Sequence, residues 1–134
     1  MTGPSRDNAP GAWTKSRTAS GETVLELSER DEQGWSVVTV KGRLDSATVK
    51  RFSEQCAPWI EGGPPNVVLD LSALEYVSSA GLSSILSAAK KLQARSGRFA
   101  IAGLRGLVKE VFAISGFETV LATFPDVETA IKTS

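Results

Sequence analysis

Two apolar runs open the ordered part of the chain. Val24-Leu25-Glu26-Leu27 and Trp35-Ser36-Val37-Val38-Thr39-Val40 both read as β-strands, joined by the polar turn Glu29 to Gly34. Gly42 is expected to end the second strand, and Asp45 or Ser46 then serves as the N-cap of a helix. Val49, Phe52 and Cys56 recur at helical spacing and continue to Trp59 or Ile60, which marks the face turned to the core. Gly62-Gly63-Pro64-Pro65 breaks the chain. Asn66-Val67-Val68-Leu69-Asp70-Leu71 is nearly continuous in apolar character, as a central strand should be. A second helix opens at Ser78 to Ala80, with Leu82, Ile85, Leu86, Ala89 and Leu92 on one stripe. Lys90, Lys91, Gln93 and Arg95 take the wetter positions. Gly97 caps that helix, and Phe99-Ala100-Ile101-Ala102 follows as a strand. Gly103 to Gly106 leads into a third helix bearing Leu107, Val111 and Ile114, with Val108 and Phe112 beside them, and Gly116 ends it. Val120-Leu121 is expected as a short last strand, and Pro125-Asp126 starts a terminal helix through Ile131.

The order is ββαβαβα(β)α. Strand–helix–strand units require parallel, right-handed crossovers, and the first two strands pair antiparallel. The expected fold is therefore α/β, a mixed sheet of four to five strands with about four amphipathic helices in a single layer against it. Residues 1–20 are rich in Pro, Gly, Ser and Thr and bury too little to offset their ordering entropy. They are read as a flexible N-terminal tail, with one domain over 21–134.

Composition narrows the chemistry. Lys+Arg and Asp+Glu both total 15, and aromatic residues make up 7%. A neutral chain without a basic run or aromatic platform is not expected to bind nucleic acid. No segment approaches the roughly 18 apolar residues of a membrane span, and the start lacks a signal peptide, so a cytoplasmic location without membrane insertion is expected. With no histidine in the chain, a Ser-His-Asp triad is excluded. Cys56 is the single cysteine, which rules out an intramolecular disulfide and a thiolate cage for a metal. No phosphate-cradling glycine loop is present. A binding protein with neither cofactor nor metal, and not an enzyme, is the expectation.

The stretch from Val67 through Asp70, Ser72, Ser78, Ser79, Ala80 and Gly81 to Leu82 resembles the signature of STAS domains, the family of sulfate-transporter and anti-sigma-factor-antagonist modules. Gly42-Arg43-Leu44-Asp45 resembles the family's Gly-x-Leu-Asp turn, and Leu104 to Phe117 its penultimate helix. The resemblance implies an anti-sigma-factor antagonist that binds an anti-sigma serine kinase of the GHKL class while unphosphorylated. The kinase then modifies a serine at the start of the second helix, and a PP2C-type phosphatase reverses the step. The alternative is a STAS scaffold, or a subunit of a transport or sensory complex, that does not use phosphorylation.

The family's acceptor motif reads Asp-Ser-Ser-Gly-Leu, with the first serine modified. Aligning Gly81-Leu82 with its Gly-Leu puts the acceptor at Ser79, but Ser78 stands where the family has Asp and Ala80 where it has the second Ser. The choice between Ser79 and Ser78 is therefore open. By the same resemblance Asp45, Ser46, Ser78, Ala80, Gly81 and Ser83 are the expected partner-binding residues, with Gly81 permitting close approach. An ordinary N-cap role is the competing explanation for Asp45, Ser46 and the serines at the second helix. Asp70 and Ser72 are expected at the end of the central strand, with Asp70 either accepting turn hydrogen bonds or also shaping the acceptor site.

Overall fold

The computed structural model describes residues 13–17, 23–63 and 65–133. Its sheet has six strands in the order β1 (Trp13–Arg17), β2 (Thr23–Glu32), β3 (Trp35–Leu44), β4 (Asn66–Val77), β5 (Arg98–Ala102) and β6 (Ala122–Phe124). The pairs β1–β2 and β2–β3 are antiparallel, and the remaining three are parallel. The helices are α1 (Val49–Glu61), α2 (Ser79–Ala94), α3 (Gly106–Ser115) and α4 (Val127–Thr133).

The mixed α/β sheet with four helices agrees with the sequence reading, with one strand more. That strand comes from the stretch expected to be tail: Trp13–Arg17 pairs with β2. The rest of the expected tail, residues 1–12 and 18–20, lies outside the described residues. Residues 13–17 lack an apolar alternation, and the open edge of β2 supplies the hydrogen bonds that make them a strand.

Strands β2 and β3 meet in a tight loop rather than the six-residue turn expected. Gln33 and Gly34 both have positive φ (53° and 85°), the combination a type I′ hairpin requires. Gly42 does not end β3 either. It sits at φ 105° beside a register shift against β4, and the strand continues to Leu44. Such a bulge bends the strand while pairing resumes beyond it. The partner β4 is correspondingly long and runs past Leu71 to Val77.

Strands β3 to β6 succeed one another in space, so three right-handed crossovers carry α1, α2 and α3 to the same face. The main core lies there: Leu25, Leu27, Val38, Val40, Leu69 and Leu71 of the sheet pack against Phe52, Cys56, Ile85, Leu92, Val108 and Phe112. A single layer of helices was expected, but α4 crosses to the other face. Its Ala130 and Ile131 cover Trp35, Val37, Val68, Ala100 and Ala102.

Three local readings are corrected. Val108 and Phe112 form the buried side of α3, whereas Leu107 and Ile114 are 55% and 86% exposed. Ser96, not Gly97, takes the left-handed position after α2 (φ 62°). Gly97 is small for another reason, since a Cβ there would collide with the Pro65 carbonyl oxygen. The last strand is Ala122–Phe124, with Val120 exposed and Leu121 buried ahead of it.

Candidate functional site

The paired ends of β3 and β4 create the site. Leu44 lies opposite Val77, and the Ser78 backbone N–H donates to the Leu44 carbonyl at 2.9 Å. That bond holds the first turn of α2 against the end of β3. Gly81 completes the fit: a Cβ would sit 2.6 Å from the Leu44 oxygen and 2.9 Å from Val77 Cγ2. Gly81 is buried, and its close approach is to the end of β3.

The two candidate serines stand in different surroundings. Ser78 is the N-cap, with extended backbone, and its Oγ accepts from the Gly81 N–H at 3.2 Å. This satisfies one of the free amides of the first turn. Ser79 is the first helical residue and is exposed. Ser83, one turn on, is exposed on the same side, and Ala80 is half-buried. Ser84 is tied back by its hydroxyl to the Gly81 carbonyl at 2.8 Å.

Beside them lies the β3–α1 turn. The N-cap of α1 is Thr48, two to three residues later than expected. Asp45 nevertheless organises the turn, its Oδ1 accepting from the N–H groups of Ala47 (3.0 Å) and Thr48 (3.2 Å). Thr48 returns the favour, since its Oγ1 accepts from the Asp45 N–H at 3.0 Å and donates to the Arg43 carbonyl at 2.9 Å. Ser46 is exposed at the tip. The structure therefore brings Asp45, Ser46, Ser78, Ser79 and Ser83 together around two neighbouring strand ends.

A model of the STAS domain matches residues 26–130. The chain belongs to the STAS family. Among its relatives, the protein called anti-sigma factor antagonist BtrV in Bordetella bronchiseptica is 38% identical over 101 residues, covering 75% of this chain and 84% of that one. A crystal structure of an anti-sigma factor antagonist from Mycobacterium paratuberculosis has a TM-score of 0.74 at 26% identity, covering 81% of this chain and 92% of that chain. SpoIIAA of Bacillus, solved in unphosphorylated and phosphorylated forms, shares the fold, with a TM-score of 0.61 at 20% identity for each. The two comparisons cover 82% and 80% of this chain, and 96% and 97% of those chains.

Relative to the STAS match, β1 and the first residues of β2 are additional. Asp70 stands apart from Ser78 and Ser79, because β4 continues seven residues beyond it. It pairs with Ala102 where β5 ends, and its Oδ1 accepts from the Ser72 N–H at 3.0 Å. Of its two expected roles, the turn-type acceptor is the one its geometry serves. Sequence reasoning missed Arg43 and Tyr76, direct register partners at the strand ends. The Arg43 guanidinium lies 4.5 Å from the Tyr76 ring centroid, and Nε lies 3.6 Å from Asp45 Oδ2. Their neighbourhood follows only from the length of β4, which the sequence pattern understates. Among the described residues, no group of three or more His, Cys, Asp and Glu side chains could hold a metal ion, and no helix is long and apolar enough to cross a membrane.

Proposed function

We propose that this STAS domain is an anti-sigma-factor antagonist that binds a GHKL-type anti-sigma serine kinase while unphosphorylated and is released when Ser79 is phosphorylated. A PP2C-type phosphatase resets it. The observation that carries this reading is the division of labour between the two serines. Ser78 is engaged in capping α2, while Ser79 is exposed on a turn that Gly81 holds in place.

The physical consequence of modification fits a switch. A phosphoserine brings about −1.5 to −2 charge at neutral pH. At the N-terminus of a 16-residue helix that charge meets the favourable end of the dipole. Inside an interface that covers the same spot it has no such shelter, and an unpaired buried charge costs several kcal/mol. About 5.5 kcal/mol suffices to carry a two-state equilibrium from 1:99 to 99:1. Asp45, Ser46 and Ser83 border the acceptor and form the rest of the proposed contact surface, with Ala80 at its margin.

The test is incubation with ATP and the GHKL kinases encoded in the same genome, followed by intact mass and site mapping. One phosphate on Ser79, absent in Ser79→Ala, together with weaker kinase binding, is the expected result. A folded protein that none of these kinases modifies would favour a scaffold role without phosphorylation.

A further inference from the structure

Arg43 is placed at the edge of the acceptor site without a strong partner. Its side chain is 51% exposed, and its nearest carboxylate oxygen, Asp45 Oδ2, lies 3.6 Å from Nε, beyond hydrogen-bond length. The other oxygen of Asp45 is already used by the amides of Ala47 and Thr48. Among the described residues the two terminal nitrogens of Arg43 make no hydrogen bond, while the Tyr76 face holds the guanidinium 4.5 Å from the ring centroid. Tyr76 lies three residues before Ser79, and Leu44, next to Arg43, receives the N–H of Ser78. A planar fork of donors is thus held between Tyr76 and Asp45, on the strand end that bonds to the turn before Ser79.

We propose that Arg43 is the intramolecular counter-ion of a phosphate on Ser79, leaving Asp45 to take the phosphate oxygens in its fork. This rests on Ser79 being the modified residue. A doubly charged group with three acceptor oxygens outcompetes a carboxylate half-occupied by backbone amides, and guanidinium–phosphate pairs are favoured by bidentate geometry. Phosphorylation then alters the binding face twice. It adds an anion on α2, and it withdraws an exposed cation from Asp45, so the Asp45–Thr48 turn also registers the modification.

The experiment encodes phosphoserine at position 79 directly, so that no kinase is needed. The second ionisation of the phosphate is followed by ³¹P NMR in the otherwise unchanged chain and in Arg43→Gln. Asp45, Glu75, Tyr76, Lys50 and Arg51, the other ionisable groups around the two strand ends, are the same in both proteins. The expected pKa with Arg43 is lower by about half a unit or more than in Arg43→Gln. Lys91→Gln, which removes a cation towards the far end of α2, should leave it unchanged. Arg43→Lys, which keeps the charge without the fork, should fall between. Amide shifts of residues 45–48 on phosphorylation should be large with Arg43 and small in Arg43→Gln. Equal phosphate pKa values with and without Arg43, or an equal rise in Lys91→Gln, would overturn the pairing. Failure of every kinase to modify Ser79 would count against the proposed function and leave this titration to judge the pairing by itself.

Discussion

Ser78 and Ser79 are adjacent, yet their substitutions should have opposite effects. Ser78→Ala removes the cap on Gly81 N–H and should cost about 1 kcal/mol, read as a shift in urea midpoint, while phosphorylation at Ser79 persists. Ser79→Ala removes an exposed hydroxyl, so stability should stay within about 0.5 kcal/mol while the phosphate is lost from the intact mass. Both effects falling on one serine would mean that cap and acceptor are the same residue. Cys56 gives a second residue-scale expectation. Burial between the sheet, α1 and α2 pushes its thiol up to about 12, whereas in an unfolded chain a thiol ionises near about 8.5. The folded state therefore keeps a proton that the unfolded state releases. This contribution is fully present below the unfolded value and is lost as pH rises toward 12, at up to about 1.4 kcal/mol per unit. The unfolding free energy of wild type minus that of Cys56→Ala should shrink by about 2 kcal/mol between pH 7 and about 10. Every other ionisable group is the same in the two proteins, so the difference isolates the thiol. A constant difference would show that Cys56 ionises as it does in water.

Helix α3 shows where periodicity stops being informative. Leu107, Val111 and Ile114 form one apolar stripe and Val108 and Phe112 another, and spacing alone does not rank them. Packing ranks them, because Phe112 is fully buried and meets Phe117 edge-on at 6.2 Å between ring centroids. Phe112→Ala should cost about 3–5 kcal/mol in urea unfolding, whereas Leu107→Ser and Ile114→Ser should stay within about 0.5 kcal/mol. A large loss on Ile114→Ser would show that this face is covered after all. Elsewhere the pattern was nearly sufficient: of the stripe Leu82, Ile85, Leu86, Ala89 and Leu92, all but the half-buried Leu86 are buried, and Ser83, Ser87, Lys90 and Lys91 are exposed. The start of α2 was legible for the same reason, since Ser78 precedes an unbroken helical pattern. Strand β4 was not read to its end. Residues 72–77 mix Ser, Ala and Glu with Leu74, Tyr76 and Val77, and their extended form comes from pairing with β3 beyond its bulge. That hidden length is what sets Arg43 beside Tyr76, so the placing of Ser78 and Ser79 at the start of α2 was readable from the chain and the Arg43–Tyr76 pair was not.

At the scale of the molecule, the question is whether phosphorylation acts on the fold or on the interface. The first turn of α2 is anchored by groups that phosphorylation of Ser79 leaves in place: the Ser78 N–H on Leu44, the Ser78 hydroxyl on Gly81, and the backbone contact of Gly81 with β3. The far end of α2 is anchored as well, since Arg95 donates to the carbonyls of Ile60 (2.6 Å) and Gly63 (2.9 Å). Ser79 itself is exposed, so the phosphate need not be desolvated in the free protein. The helix dipole contributes about 0.3–1 kcal/mol in its favour. The phosphorylated chain should consequently melt within about 4 °C of the unmodified one by calorimetry. Its affinity for the anti-sigma kinase should fall by about 100-fold or more, because an interface that excludes water there must desolvate an added anion for which the kinase surface, matched to a neutral serine, offers no counter-charge. Release accompanied by a melting temperature lowered by about 10 °C or more would mean that phosphorylation dislodges α2 from the sheet. Release without that drop assigns the effect to charge at the surface. In that case a STAS domain with this anchoring can pass repeatedly between its two states without refolding, as a reversible switch requires.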